Sequence, residues 1–191
     1  MYKIKVISST IRPGRKGPLI AQWITELAKQ NGNFDVELLD LGEIELPLMV
    51  EPNHPSMKKY EHEYTKKWSA KIEEADGYIF VTAEYDNTYP APLRNALSYL
   101  LTEWNYKPSG IVSYSLTPFG GVRAVVNLKN DLVYFKNMPL AETVNVPVYS
   151  QFIKDDGRFH GDEHLEKLAH IMLTQLARWA KGMKAIREDE A

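Results

Sequence analysis

Cysteine is absent from this chain of 191 residues. That excludes disulfides, thiolate metal sites and cysteine nucleophiles, so any redox chemistry requires a bound cofactor. No apolar run is long enough to cross a bilayer, and no secretory-type apolar segment follows Met1; a cytoplasmic protein with no membrane partner is the expectation. Charge of one sign is scarce too. The 23 Lys and Arg against 25 Asp and Glu leave a net charge of -2, without the basic stripe of a nucleic-acid binder or the strong acidic field of an electron carrier. There is no internal repeat, low-complexity tract or long linker, and neither a G-x-G-x-x-G nor a Walker-type phosphate loop.

What is present is ordinary for one well-buried domain: 44% hydrophobic and 25% charged residues. A single domain over residues 1–191 is expected, with 185–191 as a frayed tail. Residues 3–8 read as a strand. Leu19, Ile20, Trp23, Ile24, Leu27 and Ala28 then recur at helical spacing, with Pro18 suited to a first turn and Gly32 to a stop. Residues 34–39 return to strand-like alternation, and 41–55 read as a loop with three prolines. From Met57, the stripe Tyr60, Tyr64, Trp68 and Ile72 predicts an amphipathic helix. Residues 78–82 form a compact apolar strand, and Leu93, Ala96, Leu97, Leu100 and Leu101 mark the next helix. Residues 111–114 are strand-like. Val122, Val125, Val126, Leu128, Leu132 and Val133 predict a helix opening near Gly120 and Gly121, and 144–148 a fifth strand. Leu165 to Trp179 supply a long final helical stripe. Strands alternating with helices predict a parallel sheet covered on both faces, because parallel neighbours need crossover connections. The expected fold is an α/β three-layer sandwich of the flavodoxin-like kind, its five-stranded parallel sheet ordered 2-1-3-4-5.

Three loops follow strands in this scheme and carry the chemistry. Residues 8–17, SSTIRPGRKG, place Ser9, Thr10, Arg12 and Arg15 at a helix entrance, where amides and hydroxyls donate to a phosphate and guanidinium groups neutralise it. The bland reading is a surface turn with exposed cations. Residues 83–91 offer Glu84, Asp86 and Asn87 as polar edges and Tyr85 and Tyr89 as flat faces, surroundings that suit a heteroaromatic ring or a turn packed on the next helix. Residues 113–123, SYSLTPFGGVR, bring Ser115, Gly120 and Gly121 to a helix N-terminus, where glycine permits close approach and amide dipoles favour negative charge. All three lie beyond the carboxyl ends of strands, where open α/β sheets bind ligands.

At these loops the chain resembles the NADPH-dependent FMN reductase family, which includes flavin, quinone, azo-dye and chromate reductases. Ser9, Thr10, Ile11 and Arg12 stand in its G-S-x-R motif, with Arg15 following. Glu84, Tyr85, Tyr89, Pro90, Leu93, Asn95, Ala96 and Leu97 match P-E-Y-N-x-x-Y-P-x-x-L-K-N-A-L-D. Gly120, Gly121, Val122, Arg123 and Ala124 match G-G-x-R-A. The resemblance implies an FMN-dependent enzyme taking a hydride from NADPH or NADH and passing it on, by a ping-pong cycle, to a quinone, azo compound, metal oxyanion or free flavin. In that family scheme Thr10 and Arg12, with Ser9, hold the FMN phosphate. Tyr85 and its backbone flank the isoalloxazine, Gly120 and Gly121 approach its pyrimidine edge, and Arg15 and Lys16 receive the NADPH 2′-phosphate or remain solvated. No catalytic side chain is needed, and a homodimer or homotetramer is implied. Ser9 stands for the usual glycine, Ala83 for proline and Asp86 for asparagine. An ionised Asp86 only accepts hydrogen bonds, so a donor contact from that position is lost and Asn87 or a ribityl hydroxyl contact is the substitute.

Two other classes stay open at this point: a flavodoxin-type FMN carrier with no NAD(P)H oxidation of its own, and a non-redox binding module on the same fold. A metal site is not expected. His160 and His164 are spaced for one on a helix, but Gly161 and an N-cap role for Asp162 disfavour a helix holding both. Trp104 and Tyr106 read as core aromatics or as part of a subunit face.

Overall fold

The computed structural model describes residues 1–189. Five parallel strands, β1 (Tyr2–Ser8), β2 (Phe34–Asp40), β3 (Gly77–Ala83), β4 (Pro108–Tyr114) and β5 (Met138–Val146), form one sheet in the order β2-β1-β3-β4-β5. The fold expectation is met. Every residue of β3 and β4 is buried, as sheet-centre strands covered on both faces require, whereas the edge strands β2 and β5 alternate with exposed positions.

The period-two pleat sorts side chains between two cores. Ile4, Val6, Ile79, Val81, Val112 and Val144 meet α1 (Gly17–Gln30) and α6 (Glu163–Asp189) on one face. Ile7, Tyr78, Phe80 and Ile111 meet α3 (Glu63–Glu73), α4 (Ala91–Ser98) and α5 (Val122–Tyr134) on the other. A short α2 (Leu41–Ile44) directly follows β2, capped by Asp40 on the Gly42 N–H. At the amino ends of the strands, buried Lys107 donates to the carbonyls of Ile72, Glu73 and Glu103, each at 2.8 Å. The last turn of α3 is thereby closed from within.

Besides α2, which lies in a segment read as loop, and β4, which begins at Pro108 and not at 111, three boundaries differ from the sequence reading for a local reason. The helix expected from Met57 starts at Glu63, because Pro55–Met57 is a 3-10 turn ended by left-handed Lys58 and Glu51 accepts from the N–H groups of Glu61 and His62. Strand β5 begins at Met138 and not at 144. Ser109 pairs with Pro139 while Ile111 pairs with Thr143, so extra residues loop out and break the alternation. It ends at Val146, before Pro147 and left-handed Val148. The tail expected to fray is helical through Asp189, where Arg187 donates to Tyr106 O at 2.7 Å and to Asp76 at 2.8 Å; the remainder of that tail, residues 190–191, lies outside the described residues.

Candidate active site

The first loop leaves β1 with the Ser9 N–H bonded to Val81 O at 3.0 Å. Ser8, Ser9 and Thr10 are buried, and the Ser8 and Ser9 hydroxyls have no hydrogen-bond partner. Burying a hydroxyl unsatisfied is costly, so such groups point to an acceptor that completes them. Thr10 Oγ1 and Tyr114 Oη lie 3.3 Å apart. Both crowd Gly17, where a Cβ would stand 2.6 Å from each oxygen. Glycine is thus what lets two hydroxyls reach the first turn of α1. That helix has no side-chain cap and no acidic residue in its first turn, so its positive end is unoccupied by the chain's own carboxylates.

The two arginines of this loop part company. Arg12 is exposed, with its guanidinium 5.9 Å from the centre of the Tyr85 ring. Arg15 instead donates to both oxygens of Asp40 at 2.8 Å and lies against Gly42. Its partner sits at the end of β2, distant in sequence.

The aromatic loop is a tight hairpin turn. Tyr85 and Thr88 exchange N–H to carbonyl bonds at 2.8 and 2.9 Å, with Asp86 and Asn87 between them at φ 50° and 66°. Consecutive left-handed residues define a type I′ turn, for which Asp and Asn are suited. Asp86 is exposed and borders an outer groove with Tyr89, Arg94 and Asp131. Tyr89, read from sequence as a second flat face, is instead buried: its phenol donates to Asp131 and accepts from Arg94 at 3.3 Å. Burial, helped by Asp131, pushes that phenol up to about 12.

In the third loop Ser115 Oγ closes a local turn, accepting from the Thr117 N–H at 3.2 Å. Gly120 and Gly121 are left-handed at φ 60° and 83°. A Cβ on Gly120 would meet the backbone of Asn145 and Val146 at 3.0 Å, and one on Gly121 would meet Ser113 at 3.1 Å. Their close approach is therefore to the ends of β4 and β5. The head of α5 is also taken, because Glu84 Oε2 accepts from the Arg123 N–H at 3.0 Å.

The three loops converge on one cleft of about 460 Å³, lined by Arg12, Pro13, Gly14, Arg15 and Lys16, by Ala83, Glu84 and Tyr85, and by Tyr114, Ser115, Leu116, Thr117 and Tyr149. Of the residues expected at the site, Ser9, Thr10, Asp86, Asn87, Gly120 and Gly121 are not among those lining this cleft. Tyr114 and Tyr149 were missed by the sequence reading. They meet edge to face at 5.2 Å, and burial raises the Tyr114 phenol well above the usual tyrosine range. Tyr114 ends an apolar strand, where one more inward aromatic is not distinctive. Another hollow, about 330 Å³, gathers only residues of α1, α6 and the segment 158–161, and none from the three loops. No group of histidines and acids arranged to hold a metal occurs among the described residues.

Compared with known proteins, the chain matches the model of the NADPH-dependent FMN reductases over residues 2–151. It belongs to that family. An NAD(P)H-dependent FMN reductase of Schizosaccharomyces pombe is 43% identical over 144 residues, 74% of this chain and 70% of the relative. A quinone reductase of Pseudomonas putida is 24% identical over 193 residues, 97% of this chain and 98% of the relative. Among solved structures, a flavoenzyme NAD(P)H:(acceptor) oxidoreductase from Paracoccus denitrificans superposes with a TM-score of 0.75 at 20% identity, covering 96% of this chain and 99% of that one. This last likeness concerns the fold alone. As a family member the chain is an oxidoreductase with FMN as cofactor and NAD(P)H as electron donor. The residues present fit that cofactor. An FMN reductase needs a seat for a phosphate and a slot for a ring: the cleft supplies Arg12 and the faces of Tyr85 and Tyr114, and the uncapped start of α1 with the hydroxyls of Ser8 and Thr10 against Gly17 adjoins its Arg12–Lys16 side.

Proposed function

We propose that FMN binds in the cleft between the first, aromatic and third loops with its phosphate at the head of α1, and that the chain reduces small planar acceptors such as quinones. The observation that carries this reading is the uncapped start of α1, where Thr10 Oγ1 lies against Gly17 and the loop before it holds buried Ser9, unpartnered among the described residues, and exposed Arg12. Bound FMN would supply the hydride chemistry that links NAD(P)H to the acceptor. The side chains bind and orient. Ser9, Thr10 and the Gly17 amide at the start of α1 donate to the phosphate, and Arg12 neutralises it while its guanidinium rests near the Tyr85 ring. Tyr85 and Tyr114 provide ring faces, and Glu84, Asn87 and Ser115 order the loops around them.

Arg15 contributes chiefly by fastening the loop to Asp40, which leaves Lys16, exposed at the cleft, as the cation for the 2′-phosphate of NADPH. Donor and acceptor use one slot in alternation, so a ping-pong cycle follows. A homo-oligomer is supported by α5, whose outer side carries Val122, Val126, Val133 and Tyr134 at 43% to 71% exposure. No helix among the described residues is long and apolar enough to cross a membrane, which is compatible with work in the cytoplasm.

The test is the visible spectrum of the purified protein with FMN. Anaerobic NADPH should bleach it and a quinone should restore it, with parallel double-reciprocal plots. A flavin spectrum that NADPH and NADH leave unchanged would make the chain an electron carrier, and absence of any FMN affinity would make it a binding module.

A further inference from the structure

Arg123 completes the third sequence motif, yet it is not among the residues lining the cleft. It bridges two of the cleft's loops from behind. Its N–H donates to Glu84 Oε2 at 3.0 Å, and its guanidinium stands 3.5 Å from Glu84 Oε1 and donates to Asn87 Oδ1 at 3.1 Å. The same guanidinium lies 5.7 Å from the centre of the Phe119 ring in the third loop. One helical turn further on, Asn127 Nδ2 donates to Asn87 O at 2.9 Å.

These contacts grip the hairpin on both sides of Tyr85, at Glu84 before it and at Asn87 after it. The Tyr85 hydroxyl makes no hydrogen bond of its own among the described residues, and its ring has only Arg12 within cation-π reach. Its ring also packs against the core on the α1 face, so its location is set by that contact together with the neighbours that α5 holds. We propose that Arg123 and Asn127 are positioning residues for the flavin site, holding the Asp86–Asn87 hairpin so that the Tyr85 ring walls the cleft, and thereby setting FMN affinity without touching FMN. The inference rests on the reading that FMN occupies this cleft. It differs from a long-range attraction of the phosphate by the Arg123 charge, because Asn127 is neutral and the effect must pass through Tyr85.

A double-mutant cycle in FMN titrations separates these possibilities. Arg123 is a surface side chain, 56% exposed, so its truncation leaves the core intact. Arg123→Ala should weaken FMN binding by about tenfold in the presence of Tyr85 and by less than about twofold in a Tyr85→Ala background. Asn127→Ala should weaken it by about threefold, again only with Tyr85 present. In the flavin-free protein, amide exchange at Tyr85 and Thr88, which bond each other, should accelerate in both variants. Equal losses in the two backgrounds would overturn the proposal, as would unchanged affinity with unchanged exchange. Failure of the unsubstituted protein to bind FMN would remove the reading beneath it, whereas the exchange measurement would still decide whether α5 holds the hairpin.

Discussion

Two helices begin at the same edge of the sheet, and their first turns are used in opposite ways. The head of α1 has no side-chain cap and no acidic residue, and it faces buried hydroxyls and the cations Arg12 and Lys16. The head of α5 is already occupied by Glu84, which accepts from the Arg123 N–H. A helix start carries roughly half a positive charge, so an internal carboxylate spends it while an empty one offers it to a ligand. Both starts read alike in sequence, as small residues followed by a helical stripe. At α1 no carboxylate of the chain holds that place: Pro18 has no N–H and the Leu19 N–H turns back to Lys16 O at 3.1 Å, so Gly17 carries the amide that an outside anion would meet.

The comparison breaks most visibly at Gly17. Gly17→Ala puts a Cβ 2.6 Å from Thr10 Oγ1 and Tyr114 Oη; displacing the Thr10 hydroxyl from the phosphate and the Tyr114 ring from its place should weaken FMN by roughly ten- to a hundredfold, a hydrogen bond to a charged group counting about 1.5 to 3 kcal/mol. Isothermal titration checks this, and an affinity within a few fold of the unsubstituted protein would remove the α1 head from the site.

A helix end closed from within should affect stability and not the ligand. Lys107, donating to the terminal carbonyls of α3, is such a case, and burial lowers its ammonium to about 8 from 10.5. Below pH 8 both the folded and unfolded forms carry the proton. Between 8 and 10.5 the unfolded chain binds more protons, so this group's contribution to stability rises with pH, by up to about 3 kcal/mol across the window. Urea midpoints at pH 7.5 and 9.5 should show the rise, and Lys107→Met should abolish it; an identical pH trend in that variant would assign the effect elsewhere. The smallest effect belongs to α5. Glu84→Gln keeps an acceptor for the Arg123 N–H but removes the charge, and should cost less than about 1 kcal/mol in a denaturation midpoint while shifting FMN affinity by less than about threefold. A large gain in FMN affinity would mean that Glu84 had been excluding the ligand from α5.

The same contrast explains how far the sequence could be read. The strand order and the convergence of the three loops were legible, because β3 carries the compact apolar run 78–81 and α1, α5 and α6 carry periodic stripes. Partnerships across the fold were not. Nothing near Arg15 reveals that Asp40 takes its guanidinium, and nothing near Gly120 and Gly121 reveals that β4 and β5 fill the space the missing Cβ atoms leave. Tyr89 looked like a ligand face until Asp131 and Arg94 met its phenol. Asp86 occupies a left-handed turn that Asp and Asn both suit, so nothing in the structure explains the exchange of the motif's asparagine for it.

The measurement that bears most directly on the open α1 head is the ratio of affinities for FMN and riboflavin, which differ by the phosphate alone, in the unsubstituted protein and in Arg12→Ala. A charged hydrogen bond is worth about 1.5 to 3 kcal/mol, so the preference for FMN should fall by roughly ten- to a hundredfold in the variant while riboflavin affinity stays nearly constant. An unchanged ratio would contradict the account, because the phosphate would then be held somewhere other than beside Arg12.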